Sequence, residues 1–396
     1  MFKGKNIILG VTSSIAAYKS ANVASALVKK GCNVNVLMTE NATNFINPLT
    51  FEELTKHKCI IDTFDRNVQY NVAHISLAVS ADAFIIAPAS ANVIGKIANG
   101  IADDMLTTTV MACKCPVIIS PAMNTNMYEN PIVQDNLAKL ERFGYIIVPP
   151  AEGRLACGAI GKGKMPDEQV LLDYLERALS DKQDFKGKRV LVTAGPTQES
   201  IDPVRYITNH SSGKMGYAVA RQAMLRGAEV TLVSGKVNLP PVPFVKMINV
   251  TTAEDMYNAV TAEFDNTDIV IKAAAVADFR PKQIAGDKLK KADGMDSIEL
   301  EPTKDILKEL GKNKKTQFIC GFSMETQNMT ENSKKKLDTK NLDMIVCNNL
   351  KVEGAGFQGD TNVVTVIDKT NITELGIMSK TEVADKILDR IAELNK

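Results

Sequence analysis

The sequence predicts an α/β protein of two doubly wound, Rossmann-like domains, each on a mainly parallel sheet. Three observations lead there. Short runs rich in Val and Ile alternate with helix-period segments from the N-terminus onward. The same alternation restarts after a polar stretch near the middle of the chain. Finally, 396 residues exceed what one hydrophobic core usually supports.

In the first half a strand is expected near residues 5–10, a helix near 15–30 and a strand near 33–38, the grammar of a βαβ unit. Apolar runs at 83–87, 116–120 and 145–148 read as further buried strands, with helical stretches between and after them. Residues 180–188 are polar and lead into a fresh strand at 189–193. Domains are therefore expected over 1–180 and 189–396, with a linker at 181–188. The second half repeats the pattern, with a helix near 213–227 and strands near 229–234, 268–271, 317–321 and 343–347. Residues 281–302 turn polar and lysine-rich, which reads as a mobile loop or a small excursion from the sheet.

A hydrophobic fraction of 45% and a charged fraction of 23% are ordinary for a globular protein and argue against disorder, coiled coil or collagen-like structure. A net charge of +1 leaves no global field to hold nucleic acid or an anionic membrane, so any anion site must be local. The chain opens on a strand-like segment and has no signal-like or 18-residue apolar run, so a cytoplasmic location is expected. Seven scattered cysteines, an odd number, read as thiols. Cys113 and Cys115 lack metal or redox spacing and read as small packed residues.

After the first strand, Gly10, Thr12, Ser13 and Ser14 open a helix, where free N–H groups favour an anion. The dinucleotide pattern G-x-G-x-x-G is absent, so a monophosphate such as that of FMN suits the hydroxyls better; ordinary helix capping is the competing reading. Pro88, Ser90 and Thr107 extend this set of small polar positions and read equally well as turn residues. Asn124, at a strand's carboxyl end, is placed to hold a carboxylate or amide, or else only to start a turn. His74 interrupts an apolar pattern as a candidate acid/base or a satisfied structural residue. Cys157 lies in a Gly- and Lys-rich stretch, 156–165, expected as a flexible cationic flap that lowers a thiol pKa.

Together and in order, Thr12 to Lys19, His74, Pro88-Ala89, Pro121-Ala122-Met123-Asn124 with Met127, and the stretch from Ala156 to Met165 resemble the homo-oligomeric flavin-containing cysteine decarboxylases. Ser13-Ser14 and Tyr128 depart from the Gly and Trp common there. The resemblance implies FMN held by Gly10, Thr12, Ser13, Ser14, Thr39, Pro88, Ser90, Thr107 and Met123, with His74, Asn124 and Cys157 catalytic. It also implies the chemistry: flavin takes hydride from the cysteinyl thiol carbon, CO2 leaves, and the enethiol is reduced again with a flap thiol as proton donor.

In the second half, residues 193–205 lack the third glycine of a dinucleotide fingerprint, which disfavours a dehydrogenase. Ser211, Ser212, Gly213 and Lys214 start a helix and read as a second anion site or as plain capping. Asp278 leaves an apolar strand, within reach of a magnesium ion or a ribose. The run Lys288 to Lys291, like Lys336, Lys340, Asn341 and Asp343, reads as solvated surface or as a phosphate clamp. As a set, these with Gly195, Asn209 and Ala275 resemble phosphopantothenate-cysteine ligase, and the two halves together resemble the bacterial bifunctional family of coenzyme A biosynthesis. That resemblance implies L-cysteine and 4'-phosphopantothenate joined with CTP through an acyl-cytidylate. It assigns Asn209 and Lys288 to catalysis, and Gly195, Ser211, Ser212, Gly213, Ala275, Asp278, Phe322, Lys336 and Lys340 to substrate or nucleotide, with Mg2+ at Asp278. It further implies a homo-oligomer of trimeric flavin domains and dimeric ligase domains, up to a dodecamer. A decarboxylase of other thiols, a flavin-binding regulator and a tandem dehydrogenase are the weaker readings.

Overall fold

The computed structural model describes residues 1–64, 73–154, 158, 160–290, 297–325, 329–349 and 359–395. Two compact units are present, Met1–Ser180 and Asp181–Lys396.

The first unit runs β1 (Asn6–Val11), α1 (Ala17–Lys29), β2 (Asn33–Met38), α2 (Pro48–Thr55), α3 (Ala73–Ser80), β3 (Ala83–Ala89), α4 (Ala91–Ala98), α5 (Met105–Ala112), β4 (Val117–Pro121), α6 (Thr125–Tyr128), α7 (Pro131–Arg142), β5 (Ile146–Ile147), β6 (Ala151–Arg154), β7 (Ile160–Lys164) and α8 (Glu168–Ala178). β1 to β5 form a parallel sheet in the order β2-β1-β3-β4-β5. Its strands are covered on both faces, which is why they read as unbroken apolar runs. Ile7, Leu9 and Val11 pack beneath α1 and α8, whereas Ile8 packs with α4, α5 and α7. The chain leaves β1 first for β2 and then for β3 on the other side, so a topological switch point lies between β1 and β3, where loops splay apart and a ligand can enter.

The stretch expected as a flexible flap is partly a strand. β6 and β7 pair antiparallel, and Met123 N–H donates to Gly163 O at 3.0 Å. Gly163 has φ of 128°, and a Cβ there would stand 2.3 Å from Met123 O. Its glycine therefore permits close backbone approach rather than motion.

The second unit continues with β8 (Arg189–Ala194), β9 (Gln198–Ser200), β10 (Tyr206–Thr208), α9 (Lys214–Leu225), β11 (Glu229–Ser234), β12 (Lys246–Asn249), α10 (Ala253–Phe264), β13 (Ile269–Lys272), β14 (Phe279–Pro281), β15 (Leu300–Pro302), α11 (Ile306–Asn313), β16 (Phe318–Glu325), α12 (Met329–Thr339), β17 (Met344–Asn349), β18 (Thr361–Asp368), β19 (Ile372–Ser379) and α13 (Lys380–Leu394). Its main sheet has the order β12-β11-β8-β13-β16-β17-β18-β19. The first six strands are parallel, and β18 and β19 are antiparallel additions that the sequence reading did not anticipate. β14 and β15 pair as a small ribbon within the polar stretch 281–302.

Segment 181–188, expected as a linker, packs as part of the second unit. Phe185 is 2% exposed and belongs to the core formed with Val190, Leu225 and Ile387. Lys182 pairs with Asp385 at 3.1 Å and Asp389 at 2.9 Å. The Arg226 guanidinium lies 5.0 Å from the Phe185 ring centroid and holds the Asp184 carboxyl below its ordinary range. The polar residues of this segment thus face ion-pair partners while its one aromatic ring seals the core. Truncating Phe185 to Ala is expected to cost about 3–5 kcal/mol, read calorimetrically as a lower melting transition for this unit. A change within about 0.5 kcal/mol, the range of an exposed position, would restore the linker reading.

Candidate functional site

In the first unit the predicted small polar residues gather at the carboxyl end of the sheet. Thr12, fully buried, donates its hydroxyl to Pro88 O at 2.9 Å and accepts from Ser90 N–H at 2.8 Å, joining the loops after β1 and β3 across the switch point. Ser90 caps α4, and Ala16 N–H donates to Ser14 Oγ at 3.3 Å. The hydroxyls of Thr39 and Ser120 are buried without a partner among the described residues. A buried hydroxyl left unpaired is costly, a cost that a hydrogen-bonding ligand reaching either oxygen would relieve. Ser120 was not singled out from the sequence, where it sits inside an apolar strand.

Two expected cofactor residues also have structural roles. A Cβ on Gly10 would stand 3.0 Å from Phe84 and 3.1 Å from Leu106, so its small size serves the packing of α5 on the sheet. Thr107 completes a capping box with Asp104 at the start of α5. Asn124 starts α6, accepting from Asn126 N–H at 2.9 Å, which is the turn role allowed for it. Its backbone neighbour Met123 is clasped by β7. His74 is half-buried in the first turn of α3. Cys157 lies outside the described residues.

In the second unit one cavity of about 640 Å³ gathers most of the remaining candidates. Asn209, Ser211, Ser212, Gly213, Ala275, Asp278, Phe322, Lys336 and Lys340 all line it. The Asn209 amide donates to Ala275 O at 3.0 Å, fixing the loop before α9 to the loop after β13. The N-cap of α9 is Gly213, with φ of 78° and no side-chain cap, so the first N–H groups of the helix, at the cavity wall, are not satisfied by a cap. Six lysines and two aspartates line the walls, which favours an anion. A more open cleft of about 1050 Å³ shares Ser211, Ser212 and Lys214 with it. Gly195 lies behind this wall, accepting from Ala275 N–H at 3.0 Å.

Lys288 does not line the cavity. It is exposed on a loop anchored through its neighbour Leu289, whose N–H donates to Asp202 at 3.3 Å and whose carbonyl accepts from Arg205 at 2.8 Å. No cluster of three metal-binding side chains occurs among the described residues. Asp278 alone suits a magnesium ion that arrives with phosphates, since such ions keep few protein ligands. Asp305 and Lys272, both in the cavity wall, were missed: one is a helix N-cap and the other ends an apolar strand, so neither stands out in one dimension.

Comparison with known proteins then decides the family. Over 100% of this chain and 98% of the relative, the sequence is 49% identical to the coenzyme A biosynthesis bifunctional protein of Bacillus subtilis (strain 168). The chain belongs to that family. Within this coenzyme A biosynthesis family, residues 1–180 match the flavoprotein model and residues 185–394 the DNA/pantothenate metabolism flavoprotein C-terminal domain. A cysteine/cysteine sulfinic acid decarboxylase of unknown prokaryotic origin is 44% identical over 88% of this chain and 99% of its own length. A solved C-terminal domain of a coenzyme A biosynthesis bifunctional protein is 46% identical and covers 54% of this chain and 98% of its own, with a TM-score of 0.47. As a member of the bifunctional family, the protein is an enzyme of coenzyme A biosynthesis, with a flavoprotein decarboxylase unit and a ligase unit. Among the described residues no helix is long and apolar enough to cross a membrane.

Proposed function

We propose that the second unit joins 4'-phosphopantothenate to L-cysteine with CTP, through an acyl-cytidylate, and that the first unit decarboxylates the product with FMN. The observation that carries this reading is the lysine-rich cavity in which Asn209, the uncapped start of α9, Ala275 and Asp278 meet. Activating a carboxylate with a nucleotide requires that negative charge be neutralised where pyrophosphate departs, and helix N–H groups with lysines supply that. Asn209 would orient the acyl-cytidylate, and Asp278 would hold nucleotide-borne Mg2+. Phe322, Lys336 and Lys340 would hold the nucleotide. For the first unit, the unpaired Thr39 and Ser120 hydroxyls and the Thr12–Ser90 link support an FMN cradle. FMN would supply the hydride acceptor that lets CO2 leave. His74 and Asn124 would hold the substrate carboxylate and move protons, with Cys157 reprotonating the enethiol. The free cysteines among the described residues fit a reducing cytoplasm. A homo-oligomer, with trimeric flavin units and dimeric ligase units, completes the proposal.

The test is to supply the purified protein with 4'-phosphopantothenate, cysteine and CTP while following pyrophosphate and CO2, with free cysteine and ATP as comparisons. CO2 from free cysteine without CTP would favour the activity named for the cysteine decarboxylase relative. Lys288 offers a narrower check, because its exposed loop must move for its ammonium to meet a phosphate. Lys288→Gln is expected to slow acyl-cytidylate formation about tenfold to a hundredfold, the scale of a hydrogen bond to a charged group, with no change in melting. Unchanged CTP turnover would make the lysine run a solvated surface.

A further inference from the structure

β13 ends in Lys272, and strand alternation decides where that side chain goes. Ile269 and Ile271 belong to one core, Val270 to the opposite one with Ile306, Leu307 and Leu310. Lys272 shares the face of Val270 and reaches toward the start of α11, where it forms part of the cavity wall. Its charged surroundings are Lys340, Lys336, Asp305 and Asp278. Asp305 is already engaged, accepting from Lys340 Nζ at 2.7 Å and Lys308 N–H at 3.1 Å. Asp278 is exposed. Among the described residues, the Lys272 ammonium has no hydrogen bond or ion pair; only longer-range charges act on it. Lys272 is only partly buried, in the wall of the cavity; partial withdrawal from water, with Lys340 nearby, pushes its pKa from 10.5 down to about 8, so most of it remains charged at neutral pH. A partly desolvated cation with two other lysines nearby costs stability unless an anion joins it.

We propose that Lys272 is a phosphate-binding residue of the ligase cavity, receiving a phosphate oxygen of the bound substrate together with Lys336 and Lys340. This rests on the reading that the cavity takes a nucleotide. The fold tolerates an unfavourable cation there because the ligand's negative charge offsets it, the usual exchange of stability for binding. Both CTP and 4'-phosphopantothenate carry phosphate, so the source must be separated experimentally.

The test uses the full chain with Lys272→Met, which keeps length and removes charge, and Lys272→Arg. Calorimetric melting is measured alone and with CTP, cytidine, pyrophosphate or 4'-phosphopantothenate, alongside KM and kcat for CTP. Lys272→Met is expected to melt a few degrees above the parent without ligand, to lose most of the CTP-induced rise, and to raise the KM for CTP at least tenfold. Lys272→Arg should keep part of the rise, and cytidine should shift none of the proteins. A rise lost with pyrophosphate places the contact on the nucleotide, and one lost only with 4'-phosphopantothenate places it on that substrate. A variant that melts below the parent and keeps its KM for CTP and its ligand-induced rises makes Lys272 structural and overturns the proposal. A parent unmoved by CTP overturns the nucleotide reading, an outcome that is distinct because it appears before any substitution.

Discussion

Replacing His74 by Asn or Asn124 by Ala is expected to lower CO2 release from 4'-phosphopantothenoylcysteine by roughly 10²–10⁴-fold, the contribution of a positioned proton-transfer group. Neither change should unload the core. α3 packs through Leu77, on the apolar side facing Leu106 and Val110, while His74 is half-buried at its start. Asn124 caps a helix of four residues, and a lost cap costs about 1 kcal/mol. A loss of activity far beyond that, with the flavin spectrum and the melting transition kept, therefore reports chemistry. CTP-dependent pyrophosphate release should be unchanged, because both residues lie in the first unit. Near-normal CO2 release would return His74 to a structural role and Asn124 to its turn.

Gly311→Ala is expected to remove most CTP-dependent ligation while sparing decarboxylation. A Cβ on Gly311 would stand 1.9 Å from Lys340 O, a contact with backbone that cannot swing away. Asn341, in a left-handed conformation at φ of 50°, donates its amide to Gly311 O at 3.0 Å. Together they press the turn after α12 against α11, which lets Lys340 reach Asp305 in the cavity wall. Forcing the helices apart costs about 1–3 kcal/mol as overpacking. A displacement near 1 Å of a group that positions substrate costs on the order of 10²-fold in rate. Melting should fall modestly and CTP turnover steeply. Equal, small losses in both would mean that Lys340 follows the helix without consequence.

The alternation of apolar strands and helix-period segments determined the fold class on its own, since β1, β3, β4, β8 and β13 are covered on both faces and need apolar residues throughout. The gathering of hydroxyls and glycines after β1 and before α9 was equally legible, because helix starts are local. β18 and β19 were not: β19 is an edge strand with a mostly exposed face, so its apolar signal is weak. Tertiary structure alone decided what several residues do. Gly10 and Gly163 read as ligand or flap glycines in sequence, and the fold adds a reason for each that sequence does not show, close packing against a distant segment. Segment 181–188 looked like a linker because its polar residues are visible in sequence while their partners, Arg226, Asp385 and Asp389, lie far along the chain. Lys272 looked like the polar end of a strand until α11 and α12 closed around it. Periodicity encodes which face of an element is buried, but a side chain's charge, partner and cost depend on what the rest of the chain brings beside it.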